Sequence, residues 1–146
     1  MTKGINGIKN IISFLKEGIW RIQTRKLPKK KSALIRTLRV FVLTLKEFGN
    51  IFSEECGFLD FQKEFTFVID PLDGSNNFFS NLPYYGTSVG VKKGEETIAG
   101  FVANLASGVL IYKIFNEDIK YFCLNSKKEL KQNLNSNSKV AVFERG

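Results

Sequence analysis

From Phe65 onward the chain breaks into short runs rich in β-branched and aromatic residues, each closed by a turn signal. The runs are Phe65–Ile69, Tyr84–Val91, Thr97–Asn104, Val109–Phe115 and Ile119–Cys123. Between them lie Lys92-Lys93-Gly94-Glu95-Glu96, Ala106-Ser107-Gly108 and Asn116-Glu117-Asp118. Links this short join antiparallel neighbours and leave no room for crossover helices. The region from about Ile51 therefore predicts a mainly antiparallel sheet. Residues 125–138, rich in Lys, Asn and Ser, read as a polar loop, and Lys139–Phe143 as one more strand.

Upstream the period changes. Ile5, Ile8, Ile11, Ile12, Leu15, Ile19 and Ile22 fall at helical spacing, and Pro28 interrupts continuation. Leu34, Leu38, Phe41, Leu45 and Phe48 repeat by four and three, with Ser32 expected as N-cap and Gly49 as stop. The expected fold is α/β, with two N-terminal helices packed on the sheet.

Charge follows the same division. Residues 1–50 carry twelve Lys/Arg against two acids, Glu17 and Glu47; since the whole chain is at +8, the remainder is at −2. A basic amphipathic helix can lie on an anionic membrane or bind nucleic acid. It can equally pack its apolar side on its own domain, and that reading is preferred, with neither a membrane nor a nucleic-acid partner expected. Trp20 alone does not make an anchor. Apolar runs such as Val40–Leu43 fall far short of the roughly 18 residues of a membrane span. No secretory leader is visible, and two cysteines, Cys56 and Cys123, give no disulfide framework, so a cytoplasmic setting is expected. The absence of histidine excludes imidazole acid–base chemistry and the common zinc sites.

The chemistry-bearing stretch is Phe67-Val68-Ile69-Asp70-Pro71-Leu72-Asp73-Gly74-Ser75-Asn76-Asn77-Phe78. An apolar strand runs into two carboxylates three residues apart. Pro71 is expected to end the strand's pairing, and Gly74 to permit a special backbone conformation or close approach of a ligand. Ser75 or Gly74 can start a short helix through Phe79 whose free N–H groups suit a phosphate. Upstream, Ser53-Glu54-Glu55 follows an apolar residue near a turn. Carboxylates with room for water suit Mg²⁺, and paired metals can clamp the oxygens of a phosphate ester. On spacing alone the commoner reading of Asp73-Gly74 is a plain turn and of Glu54-Glu55 a solvated pair.

Val68–Ser80 resembles the signature of the inositol monophosphatase family: an apolar residue, Asp-Pro-apolar-Asp-Gly-Thr/Ser, two residues, an aromatic. The resemblance continues through Leu82-Pro83 and Ser88-Val89-Gly90, and Ser53-Glu54-Glu55 resembles the family's preceding acidic pair. It covers about residues 48–143, close to the first half of a typical member. It implies a phosphatase-like core over residues 47–146, after a basic helical segment 1–46, resembling the N-terminal half of a layered αβαβα sandwich. By position, Glu54, Asp70 and the carbonyl of Leu72 would hold a first Mg²⁺, and Asp70 with Asp73 a second. Glu54 and Ser75 would orient the attacking water; Asp73 and the N–H groups of Gly74 and Ser75 would hold the phosphate of a small inositol or sugar ester. Glu55 is given an accessory role. Fructose-1,6-bisphosphatases of the same superfamily carry similar motifs, and the gapless match beyond Ser80 favours the inositol type.

The chain also departs from the family. No aspartate precedes Asp60, where members carry an Asp-rich helix; Lys29, Lys30, Lys31, Arg36 and Arg39 stand in that region, and cations repel a metal. The family's Trp-Asp-x-Ala-Ala-Gly-like motif is absent too. A truncated member is expected, with its sheet exposing an apolar surface that the missing half would cover; a homodimer is a further expectation, as a way for the remaining acids to suffice. The charge switch near residue 46 suggests an upstream segment read in a shifted frame.

Overall fold

The structure, a computed structural model, describes the backbone of residues 2–131 and the side chains of 7–131. The elements run α1 (Thr2–Thr24), α2 (Lys31–Thr44), a 3-10 turn (Leu45–Glu47), β1 (Gly49–Ser53), β2 (Gly57–Leu59), β3 (Phe65–Asp73), α3 (Ser75–Phe79), β4 (Gly86–Lys93), β5 (Glu96–Asn104), β6 (Val109–Ile114), β7 (Lys120–Cys123) and β8 (Lys128–Leu130). The strands form one sheet in the order β2-β1-β3-β4-β5-β6-β7-β8. Pairing is antiparallel except between β1 and β3, which run parallel with Ser53 opposite Ile69. The expected α/β arrangement of two helices on a mainly antiparallel sheet is what the chain forms.

One face of the sheet is covered. Ile11, Leu15, Ile19 and Ile22 of α1 and Leu34, Leu38 and Val42 of α2 join Ile51, Phe67, Val89, Phe101 and Leu110 in a single buried cluster. The helical periodicity thus marks core-facing stripes. Lys16 of α1 lies over the rings of Tyr112 and Phe122, 4.8 and 4.4 Å from their centroids, which places α1 against β6 and β7. Lys127 lies 3.8 Å over the Trp20 ring, so the indole packs within the domain. No helix among the described residues is long and apolar enough to cross a membrane.

The other face carries no layer among the described residues. Strand alternation points Phe52, Phe58, Val68 and Val102 outward, at 52, 58, 40 and 61% exposure. Cross-strand register ranks these outward positions in two rows. One runs Phe58, Phe52, Val68, Gly90, Gly100; the other runs Asp70, Ser88, Val102, Ile111, Tyr121, Leu130. The exposed apolar surface expected of this sheet is present among the described residues.

Several local expectations are corrected. α2 begins at Lys31 with Lys30 as the capping residue and no side-chain cap, so Ser32 is not the N-cap. The helix passes into the 3-10 turn before Phe48, and Gly49 opens β1 instead of stopping α2. Pro71 does not end its strand: β3 runs on to Asp73, and the register shift between Asp70 and Asp73 is a bulge that accommodates the missing N–H. The hairpin of β1 and β2 precedes the first assigned strand, and β8 occupies part of the segment read as a polar loop. The strand assigned to Lys139–Phe143 lies outside the described residues.

Candidate functional site

The parallel pair determines where the acids meet. Because β1 and β3 run the same way, their C-terminal ends open on one edge of the sheet. β1 leads directly into the turn Glu54–Cys56, and β3 ends in Asp70-Pro71-Leu72-Asp73. Residues separated by some sixteen positions in sequence become neighbours through register alone.

Each part of this edge is held by side-chain and main-chain hydrogen bonds. Ser53, buried, donates its Oγ proton to Glu55 Oε2 at 2.6 Å, and the Glu55 N–H donates back to Ser53 Oγ at 3.3 Å. The Arg39 guanidinium of α2 donates to the Glu55 carbonyl at 3.1 Å. Asp70 Oδ1 accepts the Leu72 N–H at 3.1 Å. Thr87, 1% exposed, donates to the Asp70 carbonyl at 3.0 Å. Gly74 caps α3 with φ +77°, and a Cβ there would stand 2.9 Å from the Tyr84 carbonyl oxygen. Only glycine meets both conditions, so the Asp-Gly step here does more than turn the chain. Phe78 N–H donates to the Gly74 carbonyl at 3.0 Å, which closes the first turn of α3 and leaves the N–H groups before it free of helical partners.

At Asp70 the electrostatics are those of burial reinforced by like charges. Burial pushes the Asp70 carboxyl above its ordinary value; the Leu72 N–H opposes this, and Asp73, Glu55 and Glu54 add to the rise. Glu54, Asp73 and Ser75 are exposed, and Glu55 is half-buried. The structure therefore gathers Asp70, Asp73, Glu54 and Glu55 at one edge, with the Leu72 backbone between the two aspartates. It does not converge them: among the described residues no group of three His, Cys, Asp or Glu is close enough to hold one ion. The donor set fits a hard divalent cation, since it is all oxygen, negatively charged and mutually repelling. Each ion would draw on two carboxylates at most, with the Leu72 carbonyl, water and phosphate supplying the rest, which Mg²⁺ accepts.

A cleft of about 270 Å³ adjoins the site, lined by Asp73, Gly74, Tyr84, Gly86 and Asn104 and running out over Val102 and Ile111 on the bare face. Of the upstream cations, Arg39 sits at the acidic turn, while Lys29 reaches elsewhere. Its ammonium donates to the Phe78 carbonyl at the end of α3 and lies 3.8 Å from the Phe78 ring centroid. Lys30, Lys31 and Arg36 are exposed. Sequence reasoning read Lys29 and Arg39 as charge alone and did not mark Thr87. Inward alternation in Gly86-Thr87-Ser88 was the available signal for Thr87; its partner depends on the β3–β4 register.

A protein of Methanocaldococcus jannaschii named fructose-1,6-bisphosphatase/inositol-1-monophosphatase is 35% identical over 94 residues, covering 64% of this chain and 36% of that protein. One of the same name from Thermococcus kodakarensis is 42% identical over 53 residues, covering 36% of this chain and 21% of its own length. The chain thus spans about a third or less of these relatives. An inositol monophosphatase from Anabaena (Nostoc) superposes with a TM-score of 0.66 at 20% identity, over 78% of this chain and 47% of that one, a likeness of fold. The description of the inositol monophosphatase family matches residues 46–143, the sheet and its acidic edge together, and the chain belongs to that family.

Proposed function

We propose that this chain takes part in Mg²⁺-dependent hydrolysis of a small phosphomonoester of the inositol monophosphate type, in a reducing cytoplasm. The observation that carries the proposal is the set of four carboxylates at the open end of the β1–β3 pair, beside a left-handed glycine that starts α3. When bound, the metal supplies charge neutralisation and activates water. The chain's own groups do the rest. Asp70, Asp73, Glu54 and the Leu72 carbonyl furnish oxygen donors. Glu54 and Ser75 orient the attacking water. The N–H groups of Gly74 and Ser75, with Asp73 beside them, hold the phosphate. The adjoining cleft suits one sugar-sized ring and not a long polymer.

A fructose-1,6-bisphosphatase activity is the alternative within the same chemistry, and the double names of the relatives support keeping both substrates. A second reading, a noncatalytic remnant or binding protein, is favoured by one observation: no three carboxylates among the described residues converge. The experiment is phosphate release from inositol monophosphate and from fructose-1,6-bisphosphate with and without Mg²⁺, beside Mg²⁺ calorimetry, for the wild type and Asp73→Asn. Release that needs Mg²⁺ and is lost in the variant is the expected result. Mg²⁺ binding without release selects the noncatalytic reading, and a wild type that neither binds Mg²⁺ nor releases phosphate sinks the metal site itself.

A further inference from the structure

We propose that the basic cleft between the α1–α2 connection and the C-terminal end of α3 is a second ligand site, which takes the dianion of a small organic phosphate. None of the four carboxylates of the acidic edge lines this cleft, and the inference does not rest on the phosphatase reading.

The sequence loads this corner with one sign of charge. Arg25-Lys26-Leu27-Pro28-Lys29-Lys30-Lys31 leads from α1 into α2, and no acid stands between Glu17 and Glu47. The helix dipole accounts for part of this, since Arg25 and Lys26 follow the C-terminal end of α1. It does not account for Lys29, which lies past the turn. Among the described residues the ion pairs engage Arg21, Lys92, Lys93, Lys120 and Lys127, and leave the cations of this connection without a carboxylate partner.

The connection is fixed, so its charges share one place. Leu27 is buried in the core cluster. Pro28 restricts the backbone that follows it. The Lys29 ammonium is anchored on the Phe78 carbonyl and over the Phe78 ring. Arg25, Lys26 and Lys29 thus border one cleft of about 440 Å³, with Asn81 and Tyr85 on its other side. Tyr85 is itself held edge-on against Phe78, 5.1 Å between ring centroids.

The lining selects the ligand. Three cations around a recess with low-dielectric walls concentrate positive potential. Arginine offers a planar fork of donors and lysine a compact charge, and both suit phosphate oxygens. A phosphate monoester carries close to two negative charges at neutral pH and a carboxylate one, so three cations favour the ester. Leu27, Leu105 and Tyr85 supply carbon surface for the rest of the molecule, so an organic phosphate is preferred to the bare ion. Tyr85 also borders the cleft at Asp73 and Gly74, where the charge has the opposite sign. In the absence of metal the carboxylates there repel a phosphate, and only the basic cleft attracts one.

The test is calorimetry of the full chain, freed of metal on a chelating resin, with inorganic phosphate, phenyl phosphate and benzoate as probes. The expected order of affinity is phenyl phosphate, then inorganic phosphate, then benzoate. Arg25→Gln combined with Lys26→Gln should weaken phenyl phosphate about tenfold or more. Lys113→Gln combined with Lys128→Gln, an equal loss of charge at lysines outside the cleft, should change it less than about twofold. All four positions are exposed, so circular dichroism should match the wild type in both double variants. Proton–nitrogen correlation spectra of the wild type locate the site without any substitution: shifts on adding phenyl phosphate should gather at residues 24–29 and 81–85. Shifts that gather at Gly74 and Ser75 instead overturn the proposal and favour the phosphate cradle at the start of α3. No binding, or equal weakening by the two double variants, overturns it as well. Benzoate held as tightly as phenyl phosphate, or inorganic phosphate held as tightly as its phenyl ester, overturns the ligand class.

Discussion

Replacing Gly86 by alanine should damage the fold where it frames the acidic edge. Gly86 pairs with Asp73 on one side and Asn104 on the other. Its backbone is not left-handed, so alanine meets no torsional penalty there. The obstacle is contact: the new Cβ would lie 2.3 Å from the Ala103 carbonyl oxygen, and 3.3 Å from its carbon. A tolerable separation is about 1 Å longer, and the opposing atom is backbone in the middle of a ladder. Overpacking of that kind costs about 1–3 kcal/mol. Gly100→Ala is the matched control, since that Cβ meets nothing within 4 Å. There, relief of glycine's conformational entropy should stabilise by about 0.5 kcal/mol. The two variants should then differ by roughly 1.5–3.5 kcal/mol. With a urea slope of about 1.5 kcal/mol/M, that is a separation of about 1–2 M in midpoint. Urea unfolding followed by circular dichroism reads it. Equal midpoints for the two variants would refute the steric argument and the β4–β5 register behind it.

Three further outcomes are expected. Asp70→Asn should stabilise the metal-free chain near neutral pH while abolishing Mg²⁺ binding by calorimetry. The native Asp70 carboxyl titrates above its unfolded value of 3.8, chiefly through burial, so the native state binds more protons in that window and its stability falls as pH rises through it. The wild type's loss of urea midpoint as pH rises from the unfolded value of 3.8 through the raised native one should shrink in the variant. Lys29→Met should cost about 1 kcal/mol and speed amide exchange in α3 more than in the sheet, because it removes a charged donor from the Phe78 carbonyl. Ser53→Ala should also cost about 1 kcal/mol, and should weaken Mg²⁺ binding if the Ser53–Glu55 contact holds the acidic turn in place.

The helices were legible because their apolar stripes obey one period over several turns, and Ile11, Leu15, Ile19, Leu34 and Leu38 are all buried as that period requires. The strands from β4 to β7 were legible from alternation and turn residues. The β1–β2 hairpin was not, since its turn is built from the same Glu54-Glu55-Cys56 that reads as an acidic motif. Pro71 misled because proline's missing donor does end pairing in a regular strand, whereas a bulge absorbs it here. The acids themselves were readable one by one. Their assembly depends on the register of β1 against β3, a long-range property that local patterns do not encode. Lys29 shows the same limit: a lysine in a basic run gives no sign that it will reach a carbonyl 49 residues on.

The single parallel pair also bears on how the chain folds. The other neighbouring strands are joined by short hairpin-like links or by the α3 connection, and can zip up in sequence order. β1 can join β3 only after the intervening β2 excursion has closed as a loop, with the entropy of that closure spent before its contacts form. The acidic edge needs both this loop and the α3 connection, each about a dozen residues, to close, so it should assemble later than the tightly linked β4–β5 and β5–β6 hairpins. On the proposed metal reading, cation affinity would then follow the closure of those two loops: a partly folded chain can have its β4–β7 ladder in place and still be blind to metal.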